Sequence, residues 1–196
     1  KLYGHNAIHT MLGFLGRRLG CTSMAELPNH PNAMRMARRA FVDEAGAALR
    51  RRHAAVDDPL FTEEGFRAYA DDLLERMTNP HLNDAVDRIV RDPVRKLGYD
   101  DRVFGTMRRC LDQQVAPRHL AIGARAGLCC LISDPAVAGL PDAIVHRNAS
   151  PPLDRRELDT LLRHLWGNEY DATEAEAVVD LLEDAGQTLE HELPSD

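Results

Sequence analysis

Several features that define large classes of proteins are missing from this 196-residue sequence. No apolar run approaches the ~20 residues that cross a bilayer, so we expect no membrane-spanning segment. The formal net charge of -7 does not provide the basic surface that nucleic acids require. No glycine-rich phosphate loop follows a predicted strand, and neither a GxSxG nor an HExxH motif is present. We therefore expect neither a membrane partner nor a nucleic-acid partner, and no cofactor-binding residues within these 196.

Cysteine is also scarce and its spacing carries no signature. The four cysteines, Cys21, Cys110, Cys129 and Cys130, contain no CxxC pair. Zinc ligands and disulfide frameworks usually show recognisable spacing, so we expect a protein without a metal site. The absence of a disulfide framework is typical of a reducing compartment, and we expect a cytoplasmic location.

Helical patterns, in contrast, recur along the whole chain, and no segment has a convincing strand pattern. Residues 5–19 place a stripe of apolar side chains on one face of a helix: Ile8, Met11, Leu12, Leu15 and Leu19. Caps are predicted at Thr62, at Asp100 or Asp101, and in a Thr173-x-x-Glu176 capping box. The sequence predicts one all-α domain of about eight or nine helices, covering residues 1–196.

Polar residues and glycines share one side of the first predicted helix. Asn6 and His9 stand three residues apart and are neighbours on a helix face, and Lys1 precedes them closely enough to fold over that face. Gly13 and Gly16 fall in the same sector. Each interior glycine costs roughly 1 kcal/mol relative to alanine, which indicates close approach by another helix or by a ligand-bearing domain. The chain begins directly on these residues without an initiator Met, and we expect it to be a fragment of a longer protein.

An amine, a carboxamide and an imidazole so placed suit alcohol oxidation. Moving a hydride from a secondary alcohol requires that the hydroxyl proton be removed, and a lysine can accept it if burial lowers its pKa toward neutrality. Lys1 is the candidate acid/base. Asn6 can donate an N–H to the developing alkoxide, and His9 can bind a neighbouring hydroxyl.

Two motifs resemble the polyol-specific long-chain dehydrogenases, the family of mannitol dehydrogenase and mannitol-1-phosphate 5-dehydrogenase. The first is Lys1-x4-Asn6-x2-His9 followed by Gly13-Phe14-Leu15-Gly16. The second is Asn79-Pro80-His81-Leu82-x-Asp84-x3-Arg88-Ile89-x2-Asp92-Pro93-x-Arg95-Lys96-Leu97. The end of the second motif is most similar to the sugar-phosphate branch of that family.

The resemblance implies that the chain is the catalytic, substrate-binding C-terminal domain of an NAD-dependent dehydrogenase. Its natural partner would be an N-terminal Rossmann domain of the same polypeptide, which would hold most of the NAD, and the site would contain no metal. The resemblance gives Lys1, Asn6 and His9 the three roles described above. It also implies that Arg88 and Lys96 line the polyol end of the pocket. Arg95 is a candidate phosphate ligand, since a guanidinium matches phosphate oxygens.

Two alternatives remain open at this point. A sugar-acid reductase of the same family, acting on a fructuronate-type substrate, would need a cation for a carboxylate instead of a phosphate. A non-catalytic helical interaction module would use the glycine-lined face of the first helix as its docking surface.

Overall fold

The computed structural model describes residues 1–146 and 152–194, and this part of the chain is built from α-helices. Between the described residues the β pairing is limited to one isolated antiparallel bridge, Ser23 with Ala85. Eleven α-helices occur in the described ranges: α1 Ala7–Arg18, α2 Pro31–Arg39, α3 Gly46–Arg52, α4 Glu63–Met77, α5 Val86–Val90, α6 Pro93–Lys96, α7 Phe104–Asp112, α8 Arg118–Ser133, α9 Asp142–Val145, α10 Arg155–Trp166 and α11 Ala172–Glu192.

The predicted all-α class is confirmed, and the helix count exceeds the expected eight or nine because the structure resolves single turns as separate helices. The α6 and α9 helices have four residues each. The predicted cap at Asp100 or Asp101 is wrong, since α7 begins after Val103 without a side-chain cap. Within the described ranges no helix combines the length and apolarity needed to span a membrane.

Helices α1 and α8 form the centre of the molecule and pack against each other. Every side chain on the apolar stripe from Ile8 to Leu15 is fully buried. The α8 helix contains the most continuous apolar sequence and buries residues on all sides, as expected for a helix surrounded by others. The core is therefore organised around the helix that also carries His9.

The glycine-lined face of α1 is covered by α5 within this chain. A Cβ atom at Gly13 would overlap the Ile89 side chain, and one at Gly16 would lie 3.3 Å from Val86 Cγ2. The two glycines thus allow close helix contact, as the sequence predicts. The alternative that this face serves as an external docking surface is wrong, because α5 already occupies it.

Helices α2 and α3 form one long rod interrupted by a π-helical turn, Ala40–Ala45. Glu44 lies in this turn and is buried. Its carboxylate accepts the backbone N–H groups of His119 at 2.7 Å and Leu120 at 2.9 Å, at the start of α8. A carboxylate at a helix N-terminus satisfies orphan donors and complements the helix dipole. Glu44 therefore ties the rod to the central helix.

The C-terminal helices complete the same core. The α11 helix packs along α8 and buries Val178, Leu182 and Leu189. It begins after Asp171, whose side chain accepts the N–H of Glu174. The predicted Thr173-x-x-Glu176 box is therefore wrong, because an earlier residue caps the helix. A capping box occurs instead at the start of α10, between Asp154 and Glu157.

Candidate active site

The N-terminal segment that carries the first motif is helical but irregular. Leu2–Asn6 form a π-helical turn that leads into α1, with Tyr3 in a non-helical conformation at the kink. Lys1 precedes this turn and is exposed, whereas His5, Asn6 and His9 are half-buried. The backbone N–H of Asn6 donates to the Lys1 carbonyl at 3.1 Å. The structure thus places Lys1, Asn6 and His9 on two successive turns, with the amine at the surface.

The histidines of this segment share an environment that disfavours protonation. The rings of His5 and His9 meet edge to face with centroids 6.1 Å apart. Burial lowers the pKa of His5, and the Lys1 ammonium lowers it further. Burial also lowers the pKa of His9 to about 4, and the positive charges of His5, Arg88, Arg102 and Lys96 add to that shift. His9 is therefore a neutral imidazole near pH 7, with cations around it.

Asp84 lies beside His9. Its carboxylate oxygen Oδ2 is 3.4 Å from His9 Nε2, and its side chain is only 14% exposed. The other carboxylate oxygen accepts a hydrogen bond from the Arg88 guanidinium, one helical turn further along. Asp84 therefore connects a residue of the first motif with a residue of the second.

The Lys96 ammonium is buried, with only 5% of the residue exposed. Its Nζ donates to the carbonyl of Ile89 at 2.7 Å and to the carbonyl of Arg91. Burial lowers the pKa of Lys96 to about 8, and the nearby charges of Arg102 and Arg95 act in the same direction. Two of its three N–H donors are thus bound to backbone carbonyl groups at the C-terminal end of α5, close to the charges that surround His9.

The two arginines of the second motif are half-exposed and already ion-paired. Arg88 binds Asp84 with a side chain that is 59% exposed. Arg95 binds Asp92 through Nε at 2.6 Å and approaches Asp101 through Nη1 at 3.3 Å. The hydrogen bond that Arg95 donates to the Asp92 carboxylate is the main cause of a raised pKa of Arg95, and the Asp101 carboxylate acts in the same direction. Arg95 therefore presents a guanidinium whose charge is partly compensated.

The structure thus brings His9, Arg88 and Lys96 into one electrostatic cluster. Lys1 lies next to this cluster because its charge acts on His5, whose ring contacts His9. Arg95 lies next to it because its charge acts on Lys96. Sequence reasoning assigned no role to Asp84, His5 or Arg102. Asp84 was part of a recognised motif and could have been singled out by its spacing of four from Arg88. Arg102 belongs to no motif, and only the folded structure places its charge near His9 and Lys96.

A cavity of about 230 Å³ lies next to this region and contains none of the six predicted site residues. It shares Tyr3 with the N-terminal segment and is otherwise lined by α3 and α7 with their flanking residues: Ala45, Ala48, Leu49, Arg52, His53, Thr106, Arg109, Cys110 and Gln113. The cluster around His9 combines the exposed Arg88 side chain with the buried Lys96 ammonium. Within the described residues, no group of three or more His, Cys, Asp or Glu side chains could hold a metal ion.

Comparison with known proteins decides the family. The family model described as mannitol dehydrogenase C-terminal domain matches residues 1–135, which include α1 through α8 and all six predicted site residues. The chain belongs to this family. The match ends in the connection after α8, so α9, α10 and α11 lie beyond it.

Three relatives of this domain are mannitol-1-phosphate 5-dehydrogenases. The mannitol-1-phosphate 5-dehydrogenase of Halalkalibacterium halodurans is 28% identical over 134 residues, or 68% of this chain and 34% of that protein. The enzyme of the same name from Bacillus licheniformis is 34% identical over 128 residues, 65% of this chain and 32% of the relative. A third, from Caldanaerobacter subterraneus, is 30% identical over 128 residues. The chain spans about a third of the length of these curated relatives.

Proposed function

We propose that this chain is the substrate-binding, catalytic domain of an NAD-dependent polyol-phosphate dehydrogenase that resembles mannitol-1-phosphate 5-dehydrogenase. The observation that carries the proposal is the family match over residues 1–135, within which the Asp84 carboxylate lies 3.4 Å from His9 Nε2 and binds the Arg88 guanidinium. A neutral imidazole can bind a hydroxyl, and the cations favour a negatively charged substrate. Oxidation of mannitol 1-phosphate at carbon 5 would give fructose 6-phosphate.

In this proposal Lys1 exchanges the proton of the reacting hydroxyl. Lys1 is exposed in this domain, so in this proposal the substrate, the cofactor or a preceding domain would enclose its amine. Lys1 would then accept the proton during oxidation and return it during reduction.

Asn6 and His9 complete the proposed catalytic group. The Asn6 carboxamide would donate an N–H to the oxygen on which negative charge develops, a contact that is worth most in the transition state. His9 would bind a neighbouring hydroxyl of the polyol and hold it in register. Because the imidazole is neutral near pH 7, it can both donate and accept a hydrogen bond.

The basic residues would bind the other parts of the substrate. Arg88, whose side chain is half-exposed, would bind hydroxyls of the polyol. The buried Lys96 ammonium would line the same polyol end of the pocket. Arg95 would bind the phosphate. A guanidinium has five N–H donors, and the contacts to Asp92 and Asp101 use Nε and one N–H of Nη1, which leaves donors for phosphate oxygens.

NAD would accept the hydride when bound, and the residues described here do not form a cradle for its pyrophosphate. They contain no glycine-rich turn between a strand and a helix, the element that holds a dinucleotide in Rossmann folds. We therefore propose that a Rossmann domain preceding Lys1 in the same polypeptide binds NAD. We also propose that residues 1–196 form one domain, with residues 147–151 and 195–196 outside the described ranges. The packing of α11 on α8 supports a single domain.

The test is substrate discrimination by the full-length protein and its Arg95→Ala variant. Charge-assisted hydrogen bonds contribute ~1.5–3 kcal/mol each, so kcat/KM for mannitol 1-phosphate should fall roughly 10–200-fold. Activity toward free mannitol should change less than about threefold. Arg163→Ala is the matched control, because Arg163 is similarly exposed and paired with a carboxylate but lies on α10.

Three outcomes would contradict parts of this proposal. Equal losses for both substrates would make Arg95 a structural residue. A wild-type enzyme that reduces fructuronate but does not oxidise mannitol 1-phosphate would favour the sugar-acid reductase. Absence of any NAD-linked activity toward polyols, polyol phosphates and sugar acids would contradict the dehydrogenase assignment itself.

A further inference from the structure

The position of Asp84 is fixed by backbone contacts far apart in the sequence. The Asp84 carbonyl accepts the N–H of Met24 at 2.9 Å, and two residues later Val86 donates to the Thr22 carbonyl at 2.9 Å. These two bonds make the isolated bridge between Ser23 and Ala85. Asn83, just before, adopts a left-handed conformation with φ of 49°, which is uncommon outside glycine. The backbone is thus fixed by non-local hydrogen bonds where Asp84 approaches His9.

His9 Nε2 is a buried polar atom that makes no hydrogen bond within the described residues. Buried polar groups nearly always find a hydrogen-bond partner. The Asp84 carboxylate, 3.4 Å from Nε2, is positioned to be the acceptor. Hydrogen bonds in substrate-free active sites are often long and tighten when substrate binds. A small movement of either side chain would bring this pair to bonding distance.

We propose that Asp84 is a positioning residue that fixes the tautomer and orientation of His9 while holding Arg88 in the same cluster. A carboxylate only accepts hydrogen bonds, so it selects the tautomer in which Nε2 carries the proton. The Nδ1 lone pair of His9 is then left to accept a hydrogen bond from a substrate hydroxyl. The other carboxylate oxygen of Asp84 orients the Arg88 guanidinium, so that one residue aligns two substrate contacts. This inference rests on the proposed function.

The first measurement reads the tautomer directly and does not depend on activity. In full-length protein with 15N-labelled histidine, NMR of the ring nitrogens should show Nε2–H at His9 near pH 7. Asp84→Asn should shift the His9 nitrogens toward the other tautomer or a mixture, because a carboxamide can donate as well as accept. Asp87→Asn is the matched control, since Asp87 is 82% exposed and pairs with Arg17; it should leave the His9 signals unchanged.

The second measurement separates positioning from folding and from simple binding. Asp84→Asn should lower kcat by up to about 100-fold, because a small misplacement of a positioned group can cost that much, and its unfolding midpoint should stay close to that of wild type. Arg88→Met, which leaves Asp84 with His9 alone, should keep the Nε2–H tautomer and chiefly raise KM.

An unchanged His9 tautomer in Asp84→Asn would overturn the inference, whatever the kinetics. A shifted tautomer with kcat within twofold of wild type would also overturn it, and would leave the dehydrogenase assignment intact. If the full-length protein shows no dehydrogenase activity, the positioning of substrate contacts by Asp84 falls with the proposed function, and the tautomer data then show that the contact between Asp84 and His9 is purely structural.

Discussion

At the scale of the residue, the central observation is that a histidine and a lysine are buried among cations. His9 and Lys96 each lose protons more readily than usual because burial penalises their charged forms and neighbouring arginines repel them. Such groups reduce the stability of the folded state whenever they are charged. Perturbed groups of this kind cluster at functional sites, which supports the proposal that these residues contact the substrate.

The shifted His9 predicts how stability responds to acid. The ordinary pKa of 6.5 applies in the unfolded chain, whereas in the folded protein it is about 4. As the pH falls from about 6.5 to 4, the unfolded state binds more protons at this position, and the free energy of unfolding decreases. The loss attributable to His9 is at most about 3 kcal/mol.

Urea unfolding at pH 7 and at pH 4.5 measures this contribution. His9→Gln should remove much of the difference between the two pH values, and His164→Gln, which is also half-buried, should not. Parallel pH profiles for wild type and His9→Gln would show that His9 titrates normally in the folded protein.

At the scale of the element, the contact between α1 and α5 sets the geometry of the site. Helix α1 carries His9, and α5 carries Arg88 with Asp84 just before it. The glycine at position 13 lets the two helices approach so closely that Ile89 occupies the space of a missing Cβ. The distance between the two motifs therefore depends on one small residue.

Gly13→Ala should destabilise the protein by ~1–3 kcal/mol, the usual cost of overpacking, although alanine is the better helix former. Gly16→Ala is the matched control on the same helix. Its added methyl group would lie 3.3 Å from Val86 Cγ2, and its stability should stay within about 1 kcal/mol of wild type. Thermal or urea unfolding compares them; a Gly13→Ala protein as stable as wild type would contradict this account of the helix contact.

Local signals made part of this architecture predictable. Thr62 caps α4 as expected, and its side chain accepts the N–H of Gly65. The spacing of Gly13 and Gly16 correctly indicated a close helix contact. The Thr173 box failed because Asp171, two residues earlier, satisfies the same kind of donor, and capping patterns that overlap cannot be ranked from sequence alone.

The candidate site was predictable only where its residues lie in recognisable motifs. The two motifs named His9, Arg88 and Lys96, and the structure places them in one cluster. The contact of Asp84 with His9 depends on the bridge between Ser23 and Ala85, which joins segments about sixty residues apart. The burial of Lys96 likewise depends on carbonyls at the end of α5. Such non-local contacts follow from packing and leave no periodic signal.

At the scale of the whole molecule, the helices beyond the family match belong to the same folding unit. Arg18 Nε donates to the Leu193 carbonyl at 2.6 Å, and the buried Arg125 donates to the Leu153 carbonyl at 2.7 Å. These bonds join α1 and α8 to the C-terminal part of the chain. The segment after residue 135 thus covers the central helix instead of forming a separate domain.

Removal of the segment after residue 135 from the full-length protein should therefore abolish cooperative unfolding of the domain. A milder probe is Leu182→Ala, which should cost ~2–5 kcal/mol because the side chain is fully buried. Val145→Ala is the control, because Val145 is 57% exposed; it should change stability by less than about 0.5 kcal/mol. A truncated protein that unfolds cooperatively at the wild-type midpoint would contradict a single domain.

The assignment of the N-terminal segment as the catalytic centre is tested most directly by Lys1→Ala in the full-length enzyme. The measurement is kcat for NADH-dependent reduction of fructose 6-phosphate, together with the unfolding midpoint. General acid–base catalysis contributes ~10²–10⁴-fold, so kcat should fall by at least ~10²-fold. The unfolding midpoint should hardly change, because Lys1 is exposed. A Lys1→Ala enzyme that keeps more than about a tenth of the wild-type kcat would show that another group transfers the proton.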